Sequence, residues 1–234
     1  VYVPLLIVMG ILAWIFLRSV PVRASFREQL DIFKNKHTWF CTITYVMTFG
    51  SFSGFAAAFP LMIKSLYGGF ADAPDPLKFA FLGPLVGSTM RVLTGPVSDK
   101  IGGAVLTSLS GVIMLASGLV MIFSGVLTPT STSQFPLFVT LMLVIFFASG
   151  IGNASTFRQY PIIFAHSPRQ AAGVIGWTAA IAAYGPFVWA TFIGLAITNT
   201  GSPIPFFWGT AVYYLIATAI NWYYYQRKGA EAPS

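Results

Sequence analysis

The segment FLGPLVGSTMRVLTGPVSDKIGG, residues 81–103, is apolar enough to lie in a bilayer, yet it carries Arg91 away from both ends. An arginine at that depth costs roughly 2.5–3.5 kcal/mol on insertion scales, so it faces protein or a water-filled cavity and takes a partner there. The six acidic residues are Glu28, Asp31, Asp72, Asp75, Asp99 and Glu231, and all fall in predicted loops, span ends or the tail. Two partners remain: a carboxylate from sequence outside this chain, or a small anion moving through the protein. A guanidinium presents a planar fork of N–H donors that matches a trigonal oxyanion or carboxylate in two-point contact, and the anion is the preferred reading. Tyr45 and Phe49, in TYVMTFGSF, stand four residues apart on one predicted helix face. A phenol can donate to an anion and a phenyl ring can wall a flat ligand, although such pairs more often serve helix packing.

These side chains need a scaffold, and composition specifies its class. Of 234 residues, 56% are hydrophobic and 8% charged, with mean hydropathy +0.76. Soluble domains carry about 25% charged residues. Continuous apolar runs, rather than alternating ones, point to an all-α polytopic membrane protein and away from a β-barrel. Seven spans are predicted, at 1–17, 40–62, 79–97, 104–126, 135–157, 171–198 and 205–225. Each is close to the roughly 20 residues that cross about 30 Å of hydrocarbon. A single cysteine, Cys41, excludes an internal disulfide and a cysteine-based metal site. No metal or cofactor is expected. The formal charge of +7 would suggest nucleic acid in a soluble protein; in a membrane protein its distribution over the loops matters instead, and the bilayer is the expected partner.

Arg18, Arg23, Arg27, Lys34, Lys36, Lys100, Arg158, Arg169, Arg227 and Lys228 fall in alternate connections and the tail, whereas the intervening connections hold only Lys64 and Lys78. The positive-inside rule makes the richer side cytoplasmic. NWYYYQRK, 221–228, fits a headgroup-level aromatic anchor there. In the longest basic connection, Ser25 and Glu28 have the spacing of a capping box, and Phe26, Leu30 and Phe33 suit a short amphipathic helix on the membrane surface. Stripes of small residues mark close helix contacts: Gly50, Gly54 and Ala58; Gly83, Gly87 and Gly95 together with Arg91; Ala148 and Gly152. The sixth span holds Gly173, Gly176, Gly185, Pro186 and Gly194, many breakers for one helix. The chain opens at Val1 inside apolar sequence, as expected of the C-terminal part of a longer protein.

GPVSDKIGG, 95–103, resembles the G-x-x-x-D-x-x-G loop of the major facilitator superfamily, with Gly95, Asp99 and Gly102 in the motif positions. TFGSFSGFAAAFPLMIK (48–64), GPLVGSTMRVLTGPVSDKIGG (83–103), GIGNASTFRQYPIIF (150–164) and GWTAAIAAYGPF (176–187) together resemble the nitrate/nitrite porter family of that superfamily. The resemblance implies helix six of twelve at 1–17, a cytoplasmic central loop at 18–38, a C-terminal six-helix bundle at 39–226 and a cytoplasmic tail at 227–234. It further implies Arg91 as the anion ligand of helix eight, its counterpart arginine lying in the N-terminal half absent from this chain. Tyr45 and Phe49 would line the site. Gly185 belongs to the glycine-rich stretch of helix eleven. Gly95, Asp99 and Gly102 would form a cytoplasmic gate in which Asp99 meets a neighbouring helix end.

The expected function is transport of nitrate or nitrite across the inner cell membrane by alternating access. Antiport is preferred over proton symport because no carboxylate or histidine is predicted in the path; His37 and His166 lie near cytoplasmic ends. Another small anion on the same scaffold, or a sensor that binds without transporting, stays open. An enzyme is disfavoured: the sequence has no HExxH, no Gly-x-Ser-x-Gly and no Walker loop.

Overall fold

The computed structural model describes residues 2–18 and 26–234, without the side chains of Phe26 and Arg27. The chain forms two units, residues 1–31 and 32–234. The first contains α1 (Tyr2–Phe16), apolar on every face and with no buried residue, and the one-turn α2 (Phe26–Gln29). Ser25, and with it the expected capping box, lies outside the described residues. Among the described residues of the connection, α2 is followed directly by a 3₁₀ turn, Leu30–Lys34. Ile32 is buried in the second unit, where Phe33 meets Trp177 edge-on at 4.6 Å.

The second unit is a bundle of α3 (Lys36–Tyr45), α4 (Ser51–Tyr67), the short α5 (Pro76–Phe79), α6 (Leu82–Ile101), α7 (Gly103–Phe123), α8 (Phe135–Ile163), α9 (Pro168–Ala182), α10 (Gly185–Thr200) and α11 (Ile204–Asn221). A π turn, Val46–Gly50, joins α3 to α4 in one 32-residue rod, and a second, Trp222–Gln226, ends α11. Among the described residues, five helical stretches are long and apolar enough to cross a membrane: Lys36–Tyr67, Gly103–Phe123, Thr132–Ile163, Pro168–Thr200 and Ile204–Gln226. The protein is therefore an all-α, multi-pass membrane protein. With 20 residues, α6 is long enough, about 30 Å at 1.5 Å per residue, but less apolar because it carries Arg91, Asp99 and Lys100.

Three boundaries differ from expectation. Asp99 and Lys100 are helical, so the connection to α7 shrinks to Gly102, whose φ of +105° suits a residue without Cβ. Arg158 lies inside α8, which runs on to Ile163 through Pro161, rather than in a loop. The sixth span is two helices, α9 and α10, parted at Ala183 and Tyr184. The aromatic anchor also divides: Trp222 and Tyr223 are exposed, but the π turn directs Tyr225 inward to full burial and stacks Tyr224 on Phe40 at 4.3 Å.

Lipid supplies little hydrophobic drive for helix association, so close approach and polar pins hold such bundles. A Cβ on Gly150 would strike the backbone of Gly87, which lets α8 lie directly on α6. On the other side of α8, buried Gln159 donates through Nε2 to Asn221 Oδ1 at 2.9 Å. Asn221 Nδ2 in turn donates to the Ala104 carbonyl at 2.7 Å and Ser108 Oγ at 2.8 Å, tying α7, α8 and α11 together. Tyr160 OH donates to the Cys41 carbonyl at 2.6 Å, which ties α8 to α3.

Candidate anion site

Tyr45 closes α3 and Phe49 sits within the π turn that follows. The π turn keeps both rings on one side, stacked with centroids 5.4 Å apart and planes at 15°. Phe157 of α8 stacks on the same Tyr45 ring at 4.7 Å and 16°. The Tyr45 hydroxyl donates to Asn153 Oδ1 at 3.4 Å, and Asn153 lies one turn before Phe157 on α8. From α6, the Arg91 guanidinium carbon sits 5.6 Å from the Phe157 ring centre, a cation–π contact. Tyr45 is 2% exposed, whereas Arg91 is exposed at the open side of this group. Among the described residues Arg91 joins no ion pair. The helices thus bring Arg91, Tyr45 and Phe49 into one cluster, with Phe157 between the cation and the phenol.

Such a cluster orients a guanidinium without neutralising it. The ring face attracts the cation yet offers no hydrogen-bond acceptor of its own strength, so donors stay available for an oxyanion. Among the described residues, no group of three or more His, Cys, Asp or Glu comes together to hold a metal ion.

Further along α6, Arg158 Nε donates to Asp99 Oδ1 at 2.6 Å. Gly95 leaves the room for this pair, since a Cβ there would stand 2.7 Å from Arg158 Nη2. Asp99 thus meets a side chain five residues inside the end of α8, and Gly102 ends α6 immediately beyond. Gly185 lies elsewhere. It opens α10, and a Cβ on it would press on the Gly50 carbonyl and on Ser53 Oγ, 2.6 Å away, so its visible role is the close approach of α10 to the π turn carrying Phe49.

No protein-family model matches the chain. It is 57% identical over 233 residues to a probable nitrate/nitrite antiporter of Thermus thermophilus, NarK2, covering 99% of this chain and 52% of the relative. The chain belongs to the nitrate/nitrite porter family. Within it, the Escherichia coli K12 nitrate/nitrite transporter NarU is 29% identical over 250 residues, covering 97% of this chain and 52% of that protein. A nitrite extrusion protein of Bacillus subtilis is 26% identical over 156 residues, 66% of this chain and 37% of that one. The chain spans about half the length of the curated relatives it matches.

For this porter, sequence reasoning missed Asn153, Phe157 and Arg158. Asn153 and Phe157 carry no local signal, because an amide and a phenyl in a buried helix read as packing. Arg158 had a partial one: an acid in a span end, Asp99, calls for a partner, and Arg158 is one of several basic residues at span ends on the same predicted side.

Proposed function

We propose that this chain supplies the C-terminal half of a nitrate/nitrite transporter that works by alternating access, with helix six at 1–17, a central loop at 18–38, a six-helix bundle at 39–226 and a tail at 227–234. The observation that carries the reading is the Arg91 guanidinium, exposed, outside any described ion pair and steadied over Phe157 beside the Tyr45–Phe49 stack. The relatives' names supply the cargo: nitrate and nitrite. Arg91 holds the anion by two-point hydrogen bonds, Tyr45 and Phe49 shape its pocket, and an arginine from the other half completes the site. Gly95, Asp99 and Gly102, with Arg158, form a gate contact on the cytoplasmic side of the inner cell membrane. Gly185 acts through the backbone approach of α10.

Exchange of nitrate for nitrite follows from the charge. An empty site would have to bring uncompensated guanidiniums through a constricted, dry state, and desolvating an unpaired charge is costly. The test is the full-length transporter in nitrite-loaded liposomes, wild type and Arg91→Lys, with external nitrate uptake followed. Uptake that requires internal nitrite, and a folded lysine variant that is inactive, support exchange through a geometric anion ligand. Normal uptake by the lysine variant would remove Arg91 from the site. Uptake driven by a proton gradient without internal anion would replace antiport by symport.

A further inference from the structure

Beyond the π turn at Trp222–Gln226 the chain does not trail into solvent. Gly229 takes a left-handed φ of +72°, the Ala230 amide bonds to the Arg227 carbonyl at 3.0 Å, and the strand returns along the end of α11. Ala232 N donates to the Tyr224 carbonyl at 3.1 Å and Ser234 N to the Tyr225 carbonyl at 3.2 Å, satisfying groups that a helix end leaves open. Two further grips reach other helices. Glu231 pairs with Lys36 Nζ at 2.7 Å and His37 Nε2 at 3.3 Å, the first residues of α3. The Ser234 carbonyl accepts from Ala104 N at 3.0 Å in the first turn of α7, just past Gly102. His37 Nδ1 also shares a hydrogen bond with the buried Tyr225 hydroxyl at 3.0 Å, so α3, the tail and α11 interlock.

We infer that residues 227–234 are a conformational latch: they tie the start of the helix that carries Tyr45 to the start of α7 beside Asp99, and they release when those two helix ends separate. The grips suit reversible use. Lys36 and Glu231 are about half exposed, at 54% and 47% of their side chains, so solvent and salt weaken their attraction. The remaining ties are single hydrogen bonds at a helix end, with Ala232 the tail residue that packs against the core. The segment needs no anion to form, so the inference stands apart from the identity of the cargo.

The test uses the full-length transporter cleared of its own cysteines, with Lys36→Cys and Glu231→Cys. Oxidation to the disulfide should lower anion flux at least tenfold, and reduction should restore it. A companion measurement follows amide exchange over residues 102–106 without any anion; Glu231→Gln should speed it several-fold. A disulfide that forms without changing flux would overturn the latch; thiols held too far apart to join leave the exchange measurement to decide. Unchanged exchange in Glu231→Gln would overturn it even if the double-cysteine protein fails to fold. Because exchange is read without transport, the latch and the transport reading fail separately.

Discussion

Arg158 lies across α6 so that its Nε meets Asp99 Oδ1 at 2.6 Å, in the space that Gly95 leaves by having no side chain. The neighbouring residue, Phe157, carries the Arg91 guanidinium on its ring. Two consecutive residues of α8 therefore hold Arg91 and Asp99 of one facing helix.

Gly95→Ala should reproduce the loss of Arg158. Both partners of the ion pair are partly exposed, so breaking it costs only about 0–1 kcal/mol of stability and melting temperature should barely move. Transport should fall markedly in Asp99→Ala, Arg158→Ala and Gly95→Ala alike. In a double-mutant cycle, Gly95→Ala combined with Arg158→Ala should be no worse than either alone; additive losses would separate the glycine from the pair.

Phe157→Leu should weaken anion binding. The ring's hold on a guanidinium is worth about 0.5–2 kcal/mol, so Kd for nitrate should rise roughly 2- to 30-fold, while Phe157→Tyr keeps the π face and stays near wild type. Competition binding to purified full-length protein distinguishes the two variants.

Tyr45→Phe keeps the stack with Phe49 and Phe157 but removes the hydroxyl bonded to Asn153. The bond is long and its net worth to stability is at most about 1 kcal/mol, so nitrate affinity should fall by less than about fivefold. Asn153→Ala should lose a similar amount, and the double variant should lose less than the sum. Titration of each variant with nitrate measures the coupling.

Asn221→Leu should destabilise without touching the site. The variant strands Gln159 and the Ala104 carbonyl, both bonded to Asn221 in the buried junction of α7, α8 and α11. An orphaned buried polar group costs about 1–3 kcal/mol. Thermal unfolding in detergent should show the loss, with nitrate Kd unchanged in the protein that remains folded.

The tail contact should depend on pH in one direction. The hydrogen bond from Lys36, with a weaker one from His37 opposing a small desolvation, holds the Glu231 carboxyl below its ordinary value of 4.5. A depressed folded-state value means that the contact contributes fully above the ordinary carboxylate range and is lost as pH falls through the lowered one. Tail protection in amide exchange should therefore be flat from pH 8 to 6, about the neutral range, and collapse only in acid. Glu231→Gln should abolish that acid dependence; its persistence would assign the transition to another group.

Much of the bundle was legible in the residues themselves. Continuous apolar runs announced helices in lipid, Gly83, Gly87 and Gly95 marked the face of α6 that meets α8, and Gly185 and Pro186 stand where the span expected in one piece is divided. Arg91 stood out because a buried-depth cation must be accounted for. The 3₁₀ turn at Leu30–Lys34 and the meeting of Phe33 with Trp177, by contrast, were not legible in the residues' spacing.

Apolar length and small-residue spacing determine which segments leave water and which faces allow close approach, since both depend on neighbours along one helix. They leave open which helix lies against which. The Asp99–Arg158 pair joins residues 59 apart in sequence, and the Tyr45–Asn153 bond joins residues 108 apart. Likewise, Glu231 finds Lys36 from 195 residues away. Those pairings were decided in the tertiary structure, where the crossing of the helices brings polar groups far apart in sequence within a few ångströms of each other.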